Sequence, residues 1–367
     1  MEEGRYIYGI IKANERPKGV PRSEASPKGD EVEGRKSFGP GGVNASGEVY
    51  TIAHQDISCV VSNSTIQDYS SMLKETLGHY LVKHQTIIEK IMREYTIIPM
   101  KFGTNLTGED EVIEVLKRGY LKFKELLSTM DGKIELDVAA TYSDLNNIIK
   151  EIGKEAKEIR EFKAEIAKRP ANETLQDRIK IGMMIKDALA KRREKEQAHI
   201  IGSLEEITVD FQKHQVMDDK MILNYAFLLE KSREPDFDVR LKELDKEYKQ
   251  KVNFRCVGPL PPYSFATCQL KKVEFSQINE ARKLLGLKEL TSLEEIKESY
   301  RKLAQKNHPD KNPENSRLKE EFEKITQAYK LLTSCYQQGG ISFENDRERF
   351  SSAQAGKDLI MVEIIRP

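Results

Sequence analysis

The run SLEEIKESYRKLAQKNHPDKN, beginning at Ser292, constrains this chain more tightly than any other. Ser292 and Glu295 form an S-x-x-E capping box, and Leu293, Ile296, Tyr300, Leu303 and Ala304 then recur along one helical face. Pro309 disfavours helical geometry at His308, so the helix must end there in a constrained loop that presents His308 and Asp310 together. A helix carrying Phe322, Ile325, Tyr329 and Leu332 returns antiparallel to it. Ahead of the pair, a short helix with Ile278, Ala281, Leu284 and Leu285 stops at Gly286, suited to a left-handed C′ position. Three helices over 276–338 thus leave the His308–Pro309–Asp310 loop exposed at the shared end of two of them.

The outer face of the middle helix carries Lys297, Arg301, Lys302 and Lys306, with Lys311 just beyond. The chain as a whole balances 60 Lys and Arg against 60 Asp and Glu. This positive charge is therefore local, and it suits an acidic patch on a partner. Phosphate binding is the other use of such a helix, but aromatic interleaving and a nucleic-acid module are missing, so no nucleic acid is expected. Taken alone, His308 and Asp310 read either as loop residues or as two metal ligands; their helical surroundings favour docking.

The segments LLGL, SYRKLAQKNHPDKNP and F-x-x-I-x-x-AY-x-x-L together resemble a J-domain, without the paired tyrosines usual in its first helix. The resemblance implies that His308, Pro309 and Asp310 engage a DnaK-type ATPase chaperone and stimulate its hydrolysis, steered by the basic helix. The J-domain itself would hydrolyse nothing.

At 367 residues the chain has room for two or three domains. Arg5 to Ile10, RYIYGI, suits a first strand, and the Gly-, Pro- and Ser-rich segment 12–47 reads as a long mobile loop. Val49–Ala53 and Ile57–Ser62 form a hairpin. Leu73, Leu77, Tyr80, Leu81, Ile87, Ile88 and Ile91 mark a helix that packs on the sheet. A short strand at 96–100, a helix over 112–130 and an alternating strand at 134–142 complete a ferredoxin-like α+β domain at 1–143. Charged helices at 145–170 and 172–201 make a hairpin about Pro170, with Leu175, Ile179, Ile185, Ala188 and Leu189 as its apolar stripe. Their charges serve a solvated face or a docked partner. Strands at 221–229, 252–257 and 265–273 and a helix at 237–248 make a second α+β domain within 144–273. After the three helices, 339–367 holds a linker and a terminal strand at 358–365, which returns to the second domain's sheet.

Within this body, Phe254 to Phe265 reads FRCVGPLPPYSF. Gly258, Pro259, Pro261 and Pro262 force a rigid, irregular turn before Tyr263, and nothing in it is reactive. The run resembles the FR-x-x-GPWPPYSF signature of the gas-vesicle F/L family, with Leu260 in place of the usual Trp. IIPMKFGT at Ile97–Thr104, IGMMIKDAL at Ile181–Leu189 and the YIYGI start extend the resemblance over roughly Arg5 to Val273. It implies an accessory protein that binds the very hydrophobic shell subunit during growth of the vesicle wall and works beside other gas vesicle accessory proteins. Such subunits must be kept from premature edge-to-edge association, which a sheet edge or apolar groove can do.

An enzyme is not expected: there is no Walker loop, no G-x-S-x-G, no H-E-x-x-H and no glycine-rich strand-to-helix turn. His54, His79, His199 and His214 are scattered, and His84 is either a satisfied structural histidine or part of a polar binding spot. Cys59, Cys256, Cys268 and Cys335 form no C-x-x-C pair; Cys256 and Cys268 are either bridged across adjacent strands or, as expected of a cytosolic chain, reduced. No cofactor or metal is expected. Without a secretion signal or a membrane span, the chain reads as cytoplasmic and associated with gas vesicles. The alternative is a general J-domain co-chaperone whose body binds many clients.

Overall fold

The structure is a computed structural model and describes residues 3–13, 35–43, 47–170, 173–288, 291–308, 316–337 and 359–365. Contacts divide the chain into two units, Met1–Thr129 with Ala266–Ile365, and Met130–Phe265 with the last two residues. The α+β class and the closing helical domain are those expected. Among the described residues, no helix is long and apolar enough to cross a membrane.

In the first unit the central strand is β1 (Glu3–Lys12), antiparallel to β4 (Ile57–Thr65) on one side. On its other side lie the short β5 (Ile98–Pro99) and β6 (Asn105–Leu106). Gly9 is needed there, because a Cβ would come within 2.7 Å of Ile97 and of the Ile98 carbonyl. The hairpin of β3 (Glu48–His54) and β4 turns on Gln55, which has φ 55°. Inside the expected 12–47 loop lies a further strand, β2 (Ser37–Pro40), paired to β3. An edge position tolerates Gly39 and Pro40 because only one side of the strand is bonded. The remainder of that loop, 14–34 and 44–46, lies outside the described residues.

Helices α1 (Lys74–Met92) and α2 (Glu109–Thr129) follow. Along the α1 stripe Ile87, Ile88 and Ile91 are buried with His84, Leu77 and Tyr80 are half-buried with Tyr80 edge-on to Tyr69 at 5.5 Å, and Leu73, at 80%, and Leu81 are exposed.

The second unit begins with β7 (Lys133–Tyr142), α3 (Leu145–Glu155), α4 (Lys157–Ile166) and α5 (Leu175–Glu205). Then come β8 (Asp210–Lys213), β9 (Met221–Glu230), α6 (Glu234–Tyr248) and β10 (Val252–Leu260). The strand order is β10-β7-β9-β8, antiparallel throughout, so a βαββαβ ferredoxin-like order is completed in this unit. The expected boundary at residue 143 therefore moves back to 129: β7 is a central strand of the second sheet and cannot belong to the first domain. The expected α5 stripe is not buried at its start, where Leu175 and Ile179 are exposed; Ile200 and Leu204, near its end, are the buried positions.

After α7 (Tyr263–Ala266), the strand β11 (Cys268–Val273) belongs to the first unit, not to the second domain. It forms a parallel bridge from Met100 to Cys268, and the Lys101 N–H donates to the Cys268 carbonyl at 2.7 Å. The terminal strand β12 (Leu359–Ile364) pairs antiparallel with β11. Helices α8 (Phe275–Leu284), α9 (Leu293–Asn307) and α10 (Ser316–Gln337) are thus inserted between the two strands of one ribbon.

Candidate functional site

Ser292 accepts from the Glu295 N–H at 3.2 Å while Glu295 Oε2 accepts from the Ser292 N–H at 2.7 Å, closing the capping box of α9. Ile296 is buried against Ile278, Ala281, Leu285, Ile325, Ala328 and Leu332. Tyr300 and Tyr329 stack with centroids 4.1 Å apart and planes at 15°, which fixes α9 against α10; such pairs contribute about 0.5–1.5 kcal/mol beyond burial. Gly286 has φ 65°, the left-handed cap expected of it, and the Ser299 hydroxyl donates to the Leu285 carbonyl beside it.

His308 caps the end of α9 with extended backbone, φ −61° and ψ 130°, as Pro309 requires. Its ring meets Phe322 of α10 edge-on at 5.4 Å, so the aromatic return helix sets where the imidazole sits. Pro309, Asp310 and Lys311 lie outside the described residues. On α9, Arg301, Lys302 and Lys306 are exposed and Lys297 is half-buried. Lys302 pairs with Glu298 at 2.8 Å, which holds the Glu298 carboxyl below its usual range. Acids therefore dilute this face, and Arg301 and Lys306 are its exposed cations without an ion pair among the described residues.

The signature turn is built differently. Gly258 has φ 149°, and a Cβ there would meet Leu136 Cδ2 at 2.5 Å and the Glu135 carbonyl at 2.9 Å. Pro259 is exposed, Pro261 and Pro262 are buried, and Tyr263 donates its N–H to the Pro261 carbonyl at 2.6 Å. Leu260, in place of the expected Trp, is half-buried opposite Glu135. Ser264 donates from its N–H and its hydroxyl to the two oxygens of Glu135, both at 2.8 Å, and His214 Nε2 lies 3.0 Å from the same hydroxyl.

Glu135 is 1% exposed, and burial pushes its carboxyl up to about 8. Asp137 is raised by burial as well, and its Oδ1 is buried with no hydrogen-bond partner among the described residues. With Ser264 only 4% exposed, the arrangement is a clasp for the turn rather than a presented nucleophile. The sequence does not reveal it, because Glu135 falls on the polar phase of an alternating strand and is buried only when the turn folds over it.

His84 is buried, bonded to the Tyr6 hydroxyl at 2.9 Å and ringed by Tyr8 and Phe102; burial drops it to about 4. It is a structural histidine. All four cysteines are free, so Cys256 and Cys268 are not bridged. Among the described residues, no group of His, Cys, Asp and Glu has metal-holding geometry.

The fold defines a two-unit α+β protein with a J-domain-like set of three helices inserted between β11 and β12. The chain belongs to the family of gas vesicle synthesis proteins GvpL/GvpF, whose model matches residues 4–267. A DnaJ domain matches residues 281–337. Gas vesicle protein F1 of Halobacterium salinarum is 20% identical over 72% of this chain and 93% of its own length. The chaperone protein DnaJ of Wolbachia sp. subsp. Brugia malayi is 42% identical over 21% of this chain and 20% of its own. The crystal structure of GvpF from Anabaena superposes with a TM-score of 0.58 at 19% identity, covering 72% of this chain and 99% of that one. The GvpF structure from Microcystis aeruginosa gives 0.53, with the same identity and coverage.

Proposed function

We propose that this chain is a non-enzymatic assembly factor for gas vesicles, which holds the hydrophobic shell subunit on its α+β body and summons a DnaK-type chaperone through its J-domain. The observation that carries the reading is the pairing of a GvpL/GvpF body with a helix pair that seats His308 at its tip. A subunit that polymerises through apolar surfaces needs a holder while it waits, and ATP-driven release is the natural complement to holding. In this reading Arg301 and Lys306 steer the chaperone onto the loop, and the protein works in the cytoplasm at the growing vesicle beside other accessory proteins.

Two measurements test it on the full chain. ATPase stimulation of a DnaK-type chaperone is expected from the wild type and not from His308→Gln, with melting checked in parallel; undiminished stimulation by the variant removes the loop from the mechanism. Purified shell subunit is expected to bind the full chain and an unrelated unfolded protein is not. Equal binding of both would instead favour a general co-chaperone.

A further inference from the structure

The sheets of the two units differ in what they leave open. β2, an edge of the first sheet, is four residues long and contains Gly39 and Pro40. β8, an edge of the second, is also four residues, with Asp210 and Lys213 at its ends, the usual blunting devices. In the ribbon, the Lys122 ammonium donates to the Val362 carbonyl at 2.9 Å and covers β12. β10 is different: among the described residues it pairs with β7 alone, in unbroken register from Val252 to Val257.

Its backbone phase can be read from one bond. The Ser143 N–H donates to the Lys251 carbonyl at 3.0 Å. Antiparallel pairs alternate, so Asn253, Arg255 and Val257 exchange bonds with Thr141, Ala139 and Asp137. The N–H and C=O groups of Phe254 and Cys256 then point away from the sheet, and no partner meets them among the described residues. Asn253 and the run Arg255–Pro259 are exposed, Val257 by 39%. From Val252 to Val257 the strand's one charged side chain is Arg255. The edge stops where Pro259 lacks an N–H.

We propose that the outward edge of β10 receives an extended segment of the shell subunit as an added strand, with aliphatic side chains beside Val257. This rests on the shell-holding reading above and says where the holding occurs. Backbone hydrogen bonds supply the affinity in such strand addition, and alternate side chains supply the selectivity. An edge that carries one charged side chain, Arg255, between Val252 and Val257 is a hazard unless a partner covers it, and an extended aliphatic strand is the partner it matches. Strand addition also occupies the very edge through which shell subunits would otherwise pair with one another.

Hydrogen exchange on the full chain, with and without purified shell subunit, reads the contact directly. The Phe254 and Cys256 amides are expected to gain protection, while the already paired Arg255 amide changes little. Cys256→Pro removes an outward donor and leaves the β7 pairing in place, so it is expected to keep the fold and weaken shell binding by about tenfold or more, the worth of a backbone hydrogen bond and its neighbour. If the subunit binds but neither amide is protected, the site is elsewhere and the holding function stands. If the wild type binds no shell subunit, both readings fall. Should the proline variant not fold, protection in the wild type decides alone.

Discussion

His84 and Glu135 are both buried, yet burial moves them in opposite directions, and they lie in different units. His84 is neutral in the fold at about 4, against an ordinary value of 6.5, so the unfolded chain binds the extra proton between those values. Its contribution is complete above pH 6.5 and is lost as pH falls toward 4. Glu135 is the mirror case: raised from 4.5 to about 8, it binds its proton more tightly when folded, and its contribution is complete below pH 4.5 and lost as pH rises through 8. The first unit is therefore expected to weaken on acidification and the second on alkalisation, as followed by hydrogen exchange of α1 and β7 amides across pH. His84→Gln should flatten the first dependence and Glu135→Gln the second; an unchanged slope in either variant would assign the effect to other groups. Neither shift is visible from sequence, because both depend on what folds over the side chain. The aromatic ring of Tyr6, Tyr8 and Phe102 around His84 comes from segments nearly a hundred positions apart.

At the scale of elements, the sequence is most legible where local chemistry is decisive. The α9 capping box, the Gly286 stop and the extended His308 backbone are all dictated by neighbours within four residues, and each is present as read. Burial of a stripe is not local, and there the reading fails in part: Leu73, Leu175 and Ile179 have the right period but stay exposed, while Tyr80 of α1 meets Tyr69 and Lys180 of α5 lies over Phe162 of α4. The short strands β2 and β8 were equally invisible, since four residues at an edge need only a neighbour, not a propensity. For α9 the consequence is testable. Ser292→Ala removes one side of the box and should cost about 1 kcal/mol of J-domain stability, measured by hydrogen exchange of the α9 amides. Arg301→Glu touches no core residue, so it should leave melting unchanged while lowering chaperone ATPase stimulation, most at low salt where steering is unscreened. Equal loss at all salt concentrations would show that Arg301 acts by direct contact instead.

Across the first unit as a whole, the J-domain is not a bead on a tail. Its core continues into the ribbon that brackets it: Val273 of β11 and Leu359 and Met361 of β12 belong to the same buried cluster as Ile278, Leu285, Ile296, Ile325 and Leu332. Met361 Sδ lies 3.5 Å from Cys335 Sγ of α10, and the ribbon is tied in turn to α2 and to Met100. Reading motifs in order along the chain could not show this, because β11 and β12 are separated by the whole domain they enclose. A tethered J-domain would be indifferent to the last strand, whereas an inserted one loses part of its core with it. Met361→Ala should therefore destabilise α8 and α10 by about 2–5 kcal/mol, the usual range for truncating a buried methionine. Amide exchange in these helices should accelerate together with exchange in β11, and β7 and β9 of the second unit should remain as in the wild type. Acceleration confined to β11 and β12, with the helices unaffected, would show the J-domain to be self-sufficient and the shared cluster to contribute nothing to it.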